Sequence, residues 1–341
     1  MRALDEVLGG PAQAPAGGVE LRALAETLRL GVGTGRGVRP RLVRASYTAF
    51  GGTDDALAGA LADAVELLHT AFLAHDDVLD GDEVRRGRLN AVGVFRRRAY
   101  RQGASADAAA AYGDAAGILA GDLALAGAVA AVGALDVDAA ARGELLRLLL
   151  DCIRTTADGE LADVHHGLGL RVPTLEEALV TAERKTADYT FRLPLVGGAR
   201  LAGPLTAGTS ARLANLARHL GLAFQLADDL DGVFGDPAVT GKSRLGDLRE
   251  GKRTPLVCHA STTSAWARIA PLLGDPGLDE DGAAVVRAEL EAAGSRRFVE
   301  DLARRHLDDA LLLAGALGLA SAVRDVLDLL DIPQPAVAAA S

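Results

Sequence analysis

The sequence predicts an all-α protein, and three observations point there. Apolar residues recur at i, i+3, i+4 and i+7 along almost the whole chain, the spacing of one helix face. Alanine, leucine and glycine dominate an apolar fraction of 49%, with only 4% aromatics, whereas pleated surfaces select β-branched and aromatic side chains. No alternating run rich in Val, Ile or Thr lies between turn signals.

The elements follow in order. Residues 1–18 and 332–341 are small-residue and Pro/Gly-rich and are expected to be loosely ordered, leaving one large helical domain over 19–331. Helices are expected near 19–30 and 38–50. A longer one runs through ALAGALADAVELLHTAFLAHDD, capped by Thr53 or Asp54. Others are expected near 107–134, 138–158, 174–200, 208–234, 253–273, 279–294 and 297–330. Gly51-Gly52, Gly103, Pro173, Gly203-Pro204, Gly235-Asp236-Pro237 and Asp275-Pro276-Gly277 punctuate them. There is no fixed-period repeat and no linker between two composition regimes.

Charge and cysteine usage exclude some functions. A net charge of −10 argues against a general nucleic-acid binder, which needs a basic face to displace counterions. Two cysteines, Cys152 and Cys258, are too few for a disulfide framework and fit a reducing compartment. The N-terminus lacks the pattern of a signal peptide. The charge-free run Leu123 to Leu135 has 13 residues, fewer than the roughly 18 of a membrane span. A cytoplasmic protein with no transmembrane segment is expected.

Four Asp-Asp pairs occur, at 54–55, 76–77, 228–229 and 308–309. The first follows a glycine turn at a helix start, where carboxylates favour the dipole, and the last sits among Arg304, Arg305 and His306 as a solvated face. The middle two instead continue strongly apolar stretches, LLHTAFLA and GLAFQLA. Helical spacing places Phe72, Asp76 and Asp80 on one face with Asp77 about 100° round, and aligns Phe224 with Asp228. Carboxylates beside an apolar wall repel one another and lose hydration, which is costly unless cations neutralise them. Oxygen ligands of this kind select Mg²⁺, which keeps its waters and bridges to phosphate.

Basic residues trail both clusters. Arg36 and Arg39 precede Pro40, Arg85, Arg86 and Arg88 follow the first cluster, Lys242, Arg249, Lys252 and Arg253 follow the second, and Lys185 lies between. A Mg²⁺–diphosphate site needs this combination of metal on one side and Arg or Lys on the other.

At these residues the sequence resembles the trans-isoprenyl diphosphate synthases, or polyprenyl synthetases, of the short- to medium-chain bacterial type, over about residues 30–330. HDDVLDGDEVRRG at 75–87 reproduces a DDxxD motif followed by paired arginines. FQLADDLDGVFGDPAVTGK at 224–242 and DLREGKRTPL at 247–256 reproduce FQxxDD, GK and D…GK.T, while ERKTADYTFRLPL at 183–195 and GDLALA at 121–126 match further stretches. Several motifs in the right order are far more specific than any one.

The resemblance implies a helical bundle of the isoprenoid synthase type around a deep apolar pocket, a homodimer, and about three Mg²⁺ per active site. It implies that an allylic diphosphate is ionised and condensed with isopentenyl diphosphate. Asp76 and Asp80 would hold two metal ions and Asp228 a third, with Asp77 and Asp229 in support. Arg85, Lys185, Gln225, Lys242 and Lys252 would contact the allylic substrate, and Lys185-Thr186 would lie near its reacting carbon. Arg36, Arg39, His69 and Arg86 would bind the diphosphate of isopentenyl diphosphate. Bulk at Phe72 implies a C15 to C20 product, Phe72 being either a tunnel floor or ordinary core.

The sequence departs from the family pattern in places. TGRGVRP has Arg36 and Gly37 where a lysine and an arginine are usual, and Arg is not geometrically equivalent to Lys. Leu89 and Val92 replace a proline and a histidine, Leu245 a glycine, and Gly232 the third aspartate of the second motif, with Asp231 one residue early.

Other features are read plainly. GVGTGRG at 31–37 lacks phosphate-loop spacing and is a turn. His165-His166 have no zinc-spaced partners and read as solvated or capping, and Asp158, Glu160 and Asp163 read as a polar helix face or as polarity around the site. Two further readings of the whole stay open. A class I terpene cyclase would not need the basic set at Arg36, Arg39, His69 and Arg86, and a weakly active partner subunit is motivated by Gly37, Leu89 and Gly232.

Overall fold

The computed structural model describes residues 18–33, 35–236 and 244–332. Their backbone contacts define two compact units. One takes the described residues up to Leu149 together with Gly197–Pro204, and the other takes Leu150–Val196 and the described residues from Leu205 onward.

The first unit contains α1 (Val19–Gly31), α2 (Val38–Ala49), α3 (Asp55–Leu79), a hairpin of β1 (Val84–Arg85) and β2 (Arg88–Leu89), α4 (Ala91–Arg101) and α5 (Ala106–Gly133). Asp54, not Thr53, caps α3, its carboxylate accepting from the amides of Ala56 at 2.9 Å and Leu57 at 3.0 Å. Ala58, Leu61, Ala62, Val65 and Leu68 give α3 its buried face, which packs along α5.

Close packing against α5 depends on glycines. A Cβ on Gly117 would meet Val78 Cγ2 at 2.4 Å and Val92 Cγ2 at 2.9 Å, and one on Gly113 would meet the Val92 carbonyl oxygen at 2.7 Å. Val92, a departure from the family pattern, is thus a core residue at 2% exposure, where its burial contributes about 1.5–3 kcal/mol.

In the second unit, α6 (Ala139–Gly167, its later part) is followed by α7 (Leu175–Ala182), a π-helical segment (Glu183–Arg192) and α8 (Leu193–Ala202, its first residues). The long α9 (Ala207–Phe234) packs along the π segment and along α14, and carries the second aspartate pair. Then come α10 (Gly246–Arg249), α11 (Pro255–Ser261), α12 (Trp266–Ile269), α13 (Glu280–Ala292), α14 (Ser295–Ala316) and α15 (Ala320–Leu329). Leu226, Val233, Leu248, Leu256, Ile269, Val286, Leu290 and Val299 form its core, and Leu245 packs on it, which accounts for an apolar residue in place of glycine.

Expectation and structure differ at four elements. Helix α4 buries Val92, Gly93, Phe95 and Ala99 among four arginines, too weak an apolar pattern to predict it. The hairpin is too short to show alternation. The helix expected over 253–273 breaks after Ser261, where the Thr262 and Thr263 hydroxyls donate back to the carbonyls of His259 and Ala260, each at 2.8 Å. The helix expected over 297–330 breaks at Gly318, whose φ of +71° is the left-handed conformation that ends helices.

Candidate active site

In the first unit α3 delivers the first aspartate cluster at its C-terminal end. Asp80 is the C-cap with helical backbone angles, so Asp76 and Asp80 stand one turn apart, Asp76 half-buried and Asp80 exposed. Asp77 turns inward and is buried. The hairpin brings Arg85 back over them, Nε donating to Asp77 Oδ1 at 2.7 Å and Nη2 to Asp76 Oδ2 at 3.4 Å. Burial pushes the Asp77 carboxyl up, and Arg85 works against it. Arg85 therefore bridges Asp77 and Asp76, while Asp80 stands one turn beyond Asp76 on the same helix face.

The turn Arg86-Gly87 has φ of +53° and +72°, the left-handed pair a two-residue hairpin requires. A non-glycine residue held there is strained, a feature common at functional sites. The Arg86 guanidinium lies against Gly35, 3.3 Å from where a Cβ would sit. Burial lowers the Arg86 pKa, and Arg85, Arg39 and Arg36 lower it further, with only Glu66 opposing. His69 is buried and held well below its usual range by desolvation and then by Arg39, Arg86 and Arg85, so it is neutral at pH 7. Arg36, Arg39, Arg85 and Arg86 thus converge around neutral His69, with the Glu66 carboxylate among them.

In the second unit α9 and the π segment share a polar chain. Thr186 Oγ1 donates to Gln225 Oε1 at 3.0 Å, and Gln225 Nε2 donates to Asp229 Oδ1 at 2.9 Å. Burial pushes the Asp229 carboxyl up to about 8, Gln225 offsets this only in part, and Asp228, Asp247 and Asp163 add to it. Lys185 Nζ is held between Glu160 Oε1 at 2.9 Å and Asp163 Oδ2 at 2.7 Å. Glu160 and Asp163 are therefore not a bland polar face. Asp158 pairs instead with Arg184, at 2.5 Å.

Asp247 is the residue that sequence reasoning missed. A Cβ on Gly232 would fall 2.0 Å from Asp247 Oδ2, so this carboxylate occupies the space of the absent third-aspartate side chain. Its other oxygen accepts from Lys252 Nζ at 2.9 Å. Burial would lower the Lys252 pKa, but Asp247 and Glu250 outweigh it and raise it. The only signal for Asp247 was its place in DLREGK, since no local spacing joins 247 to 232. Lys242 lies outside the described residues.

Asp228 and Asp231 line a cavity of about 310 Å³ with Phe224, Phe234, Arg296 and Ile332, within the size range of ligand pockets. Phe72 is half-buried beside the fully buried Ala71. Among the described residues no three His, Cys, Asp or Glu side chains are gathered as a ready-made metal cage. The donor set still fits Mg²⁺, which binds through one or two carboxylates while keeping waters and taking substrate phosphates.

Comparison with known proteins agrees with this chemistry. The family model described as polyprenyl synthetase matches residues 22–284. The (2E,6E)-farnesyl diphosphate synthase of Mycobacterium tuberculosis is 36% identical over 296 residues, covering 84% of this chain and 75% of that protein. The geranylfarnesyl diphosphate synthase of Aeropyrum pernix is 30% identical over 291 residues, covering 81% of each. Among solved structures, the geranylgeranyl pyrophosphate synthase from Corynebacterium glutamicum, complexed with isoprenyl diphosphate and magnesium, superposes with a TM-score of 0.84 at 26% identity over 97% of each chain. With its all-helical fold, its ordered acidic and basic motifs and a family match over most of its length, this chain belongs to the polyprenyl synthetase family of prenyltransferases.

Proposed function

We propose that the chain condenses an allylic diphosphate with isopentenyl diphosphate, releasing pyrophosphate and giving a C15 to C20 prenyl diphosphate. The observation that carries this is the cationic cluster of Arg36, Arg39, Arg85 and Arg86 with His69 beside Asp76. Such a cluster suits a second diphosphate, which a terpene cyclase does not need.

Asp76 and Asp80, and likewise Asp228 with Asp247 nearby, would be ligands for Mg²⁺. Bound Mg²⁺ would supply Lewis-acid stabilisation of a departing diphosphate. Arg36, Arg39, His69 and Arg86 bind the isopentenyl diphosphate headgroup, neutral His69 donating a hydrogen bond rather than a charge. Arg85, Lys185, Lys242, Lys252 and Gln225 orient the allylic diphosphate, and Thr186 is held beside it by Gln225. As the allylic C–O bond breaks, the isopentenyl double bond forms the new C–C bond. Loss of a proton, taken by the released pyrophosphate, then restores a double bond, so no separate protein base is required. Phe72, on the Asp76 and Asp80 face of α3, limits chain growth.

A homodimer fits the exposed apolar residues of α5, including Ile118 at 47% and Leu119 at 54% exposure. By length and composition α3 and α5 could each cross a membrane, yet half of each apolar window is buried within the fold. That burial, with two free cysteines, supports a cytoplasmic enzyme.

The test is incubation of pure protein with Mg²⁺, a labelled allylic diphosphate and isopentenyl diphosphate. A longer prenyl diphosphate, abolished by a chelator, is expected. Product formed equally well without isopentenyl diphosphate would make the protein a cyclase, and no turnover by pure protein would make it a partner subunit.

A further inference from the structure

Midway through the helix that runs from Leu175 to Ala202, residues Glu183–Arg192 adopt a π conformation, and the Leu193 amide donates to the Asp188 carbonyl five residues back. Isolated π turns are rare and concentrate at functional sites, because they cost hydrogen-bond geometry that packing must offset. Two glycines from two other helices press on this turn.

On α6, a Cβ at Gly159 would fall 2.4 Å from the Lys185 amide nitrogen and 2.7 Å from the Arg184 carbonyl carbon. On α9, a Cβ at Gly221 would fall 2.0 Å from Ala187 Cβ and 2.6 Å from its Cα. Neither distance is possible between real atoms, so a side chain at either position must displace the turn. The three residues 185–187 are gripped between two helix backbones. The same two helices also bind the intervening side chains. Glu160 and Asp163 of α6 hold Lys185, and Gln225 of α9, one turn after Gly221, holds Thr186.

We infer that Gly159 and Gly221 are positioning residues that clamp the π turn, and thereby set Lys185 and Thr186 for the transfer reaction. Their contact is with the backbone and Ala187, not with substrate. The inference rests on the proposed prenyl transfer for its kinetic consequence and on packing alone for its structural one. A misplacement near 1 Å at a positioned group can cost of order 100-fold in rate.

The closest Gly221 contact is with the Ala187 Cβ at 2.0 Å, which permits a size swap, although the Ala187 Cα at 2.6 Å remains. Gly221→Ala is expected to lower kcat at least tenfold while leaving KM for isopentenyl diphosphate within about twofold, because that diphosphate is assigned to Arg36, Arg39, His69 and Arg86. It should also speed amide hydrogen exchange across 183–192. The double variant Gly221→Ala/Ala187→Gly, which moves the methyl from one helix to the other, should recover part of both losses, because the contact with the residue 187 Cα at 2.6 Å remains. Gly159→Ala meets backbone, so no partner change should rescue it. Gly315→Ala, at a helical position with nothing within 4 Å, is the control and should behave as wild type. If Gly221→Ala does not fold, Ala187→Gly alone serves: it adds no bulk and should still loosen the turn and lower kcat. Wild-type kcat and exchange in Gly221→Ala, or a loss that the swap does not lessen at all, overturns the clamp. Absence of transfer by the wild type sinks the functional reading instead, and hydrogen exchange still decides the clamp.

Discussion

Residue 232 lies in the second aspartate motif, and the space its side chain would take is filled by the carboxylate of Asp247. Restoring the family-like aspartate with Gly232→Asp would therefore force two carboxylates into one volume beside Asp228, a steric and like-charge cost. We expect kcat to fall at least tenfold, equivalent to about 1.4 kcal/mol of lost transition-state stabilisation, with a weaker dependence on Mg²⁺. A Mg²⁺ titration of steady-state rates reads this directly, and a gain in activity would show that Asp247 is not the substitute. Other departures have similarly local reasons. Val92 fills the space left by the glycines of α5, and Gly37 takes a φ of +70° at the start of α2, where arginine would be strained.

Among the elements, α9 packs along both the π turn and α14 and carries the second aspartate cluster. Between α9 and α14 the imidazoles of His219 and His306 meet with Nδ1 atoms 3.0 Å apart, so one must donate and the other accept. Burial pushes His306 down to about 4, with His219 and Arg218 adding to it and Asp309 opposing, and burial likewise lowers His219. Both groups lie below their unfolded value, so the unfolded chain takes up protons first as pH falls. Stability is full above about pH 6.5 and declines toward pH 4. His306 is only half-buried, so the loss is about 1 kcal/mol rather than the full value of the shift. Urea midpoints at pH 7 and pH 4.5 should separate less for His306→Gln than for wild type, and equal separations would remove the pair from the acid response.

On the scale of the whole molecule, the exposed apolar side of α5 is the surface the proposed homodimer would bury. Ile118→Glu/Leu119→Glu would place two desolvated charges in that interface. Sedimentation should show wild-type dimers and a mass half as large for the variant, whereas a variant that stays dimeric would move the interface elsewhere. The grouping of the chain into two units left no mark in composition, since no linker or change of residue usage occurs near 149 or 205. Two of its boundaries, after Leu149 and after Val196, fall inside helices α6 and α8, where helical periodicity continues unbroken, and the third follows Pro204 between α8 and α9.

The two aspartate clusters and their trailing cations were legible because each is a local pattern. Spacing along a helix fixes which side chains share a face, and motif order identifies the family. So the sequence by itself determined the helical class, the polyprenyl synthetase membership and most of the residues that make up the candidate site. Only the tertiary structure decided their partners: Asp77 with Arg85, Lys185 with Glu160 and Asp163, and Thr186 with Gln225. The last two join residues 22 to 39 positions apart, and the π turn arises where two helices approach to glycine contact. Periodicity is written within a few residues, but the choice of partner depends on which backbones pack together and how closely.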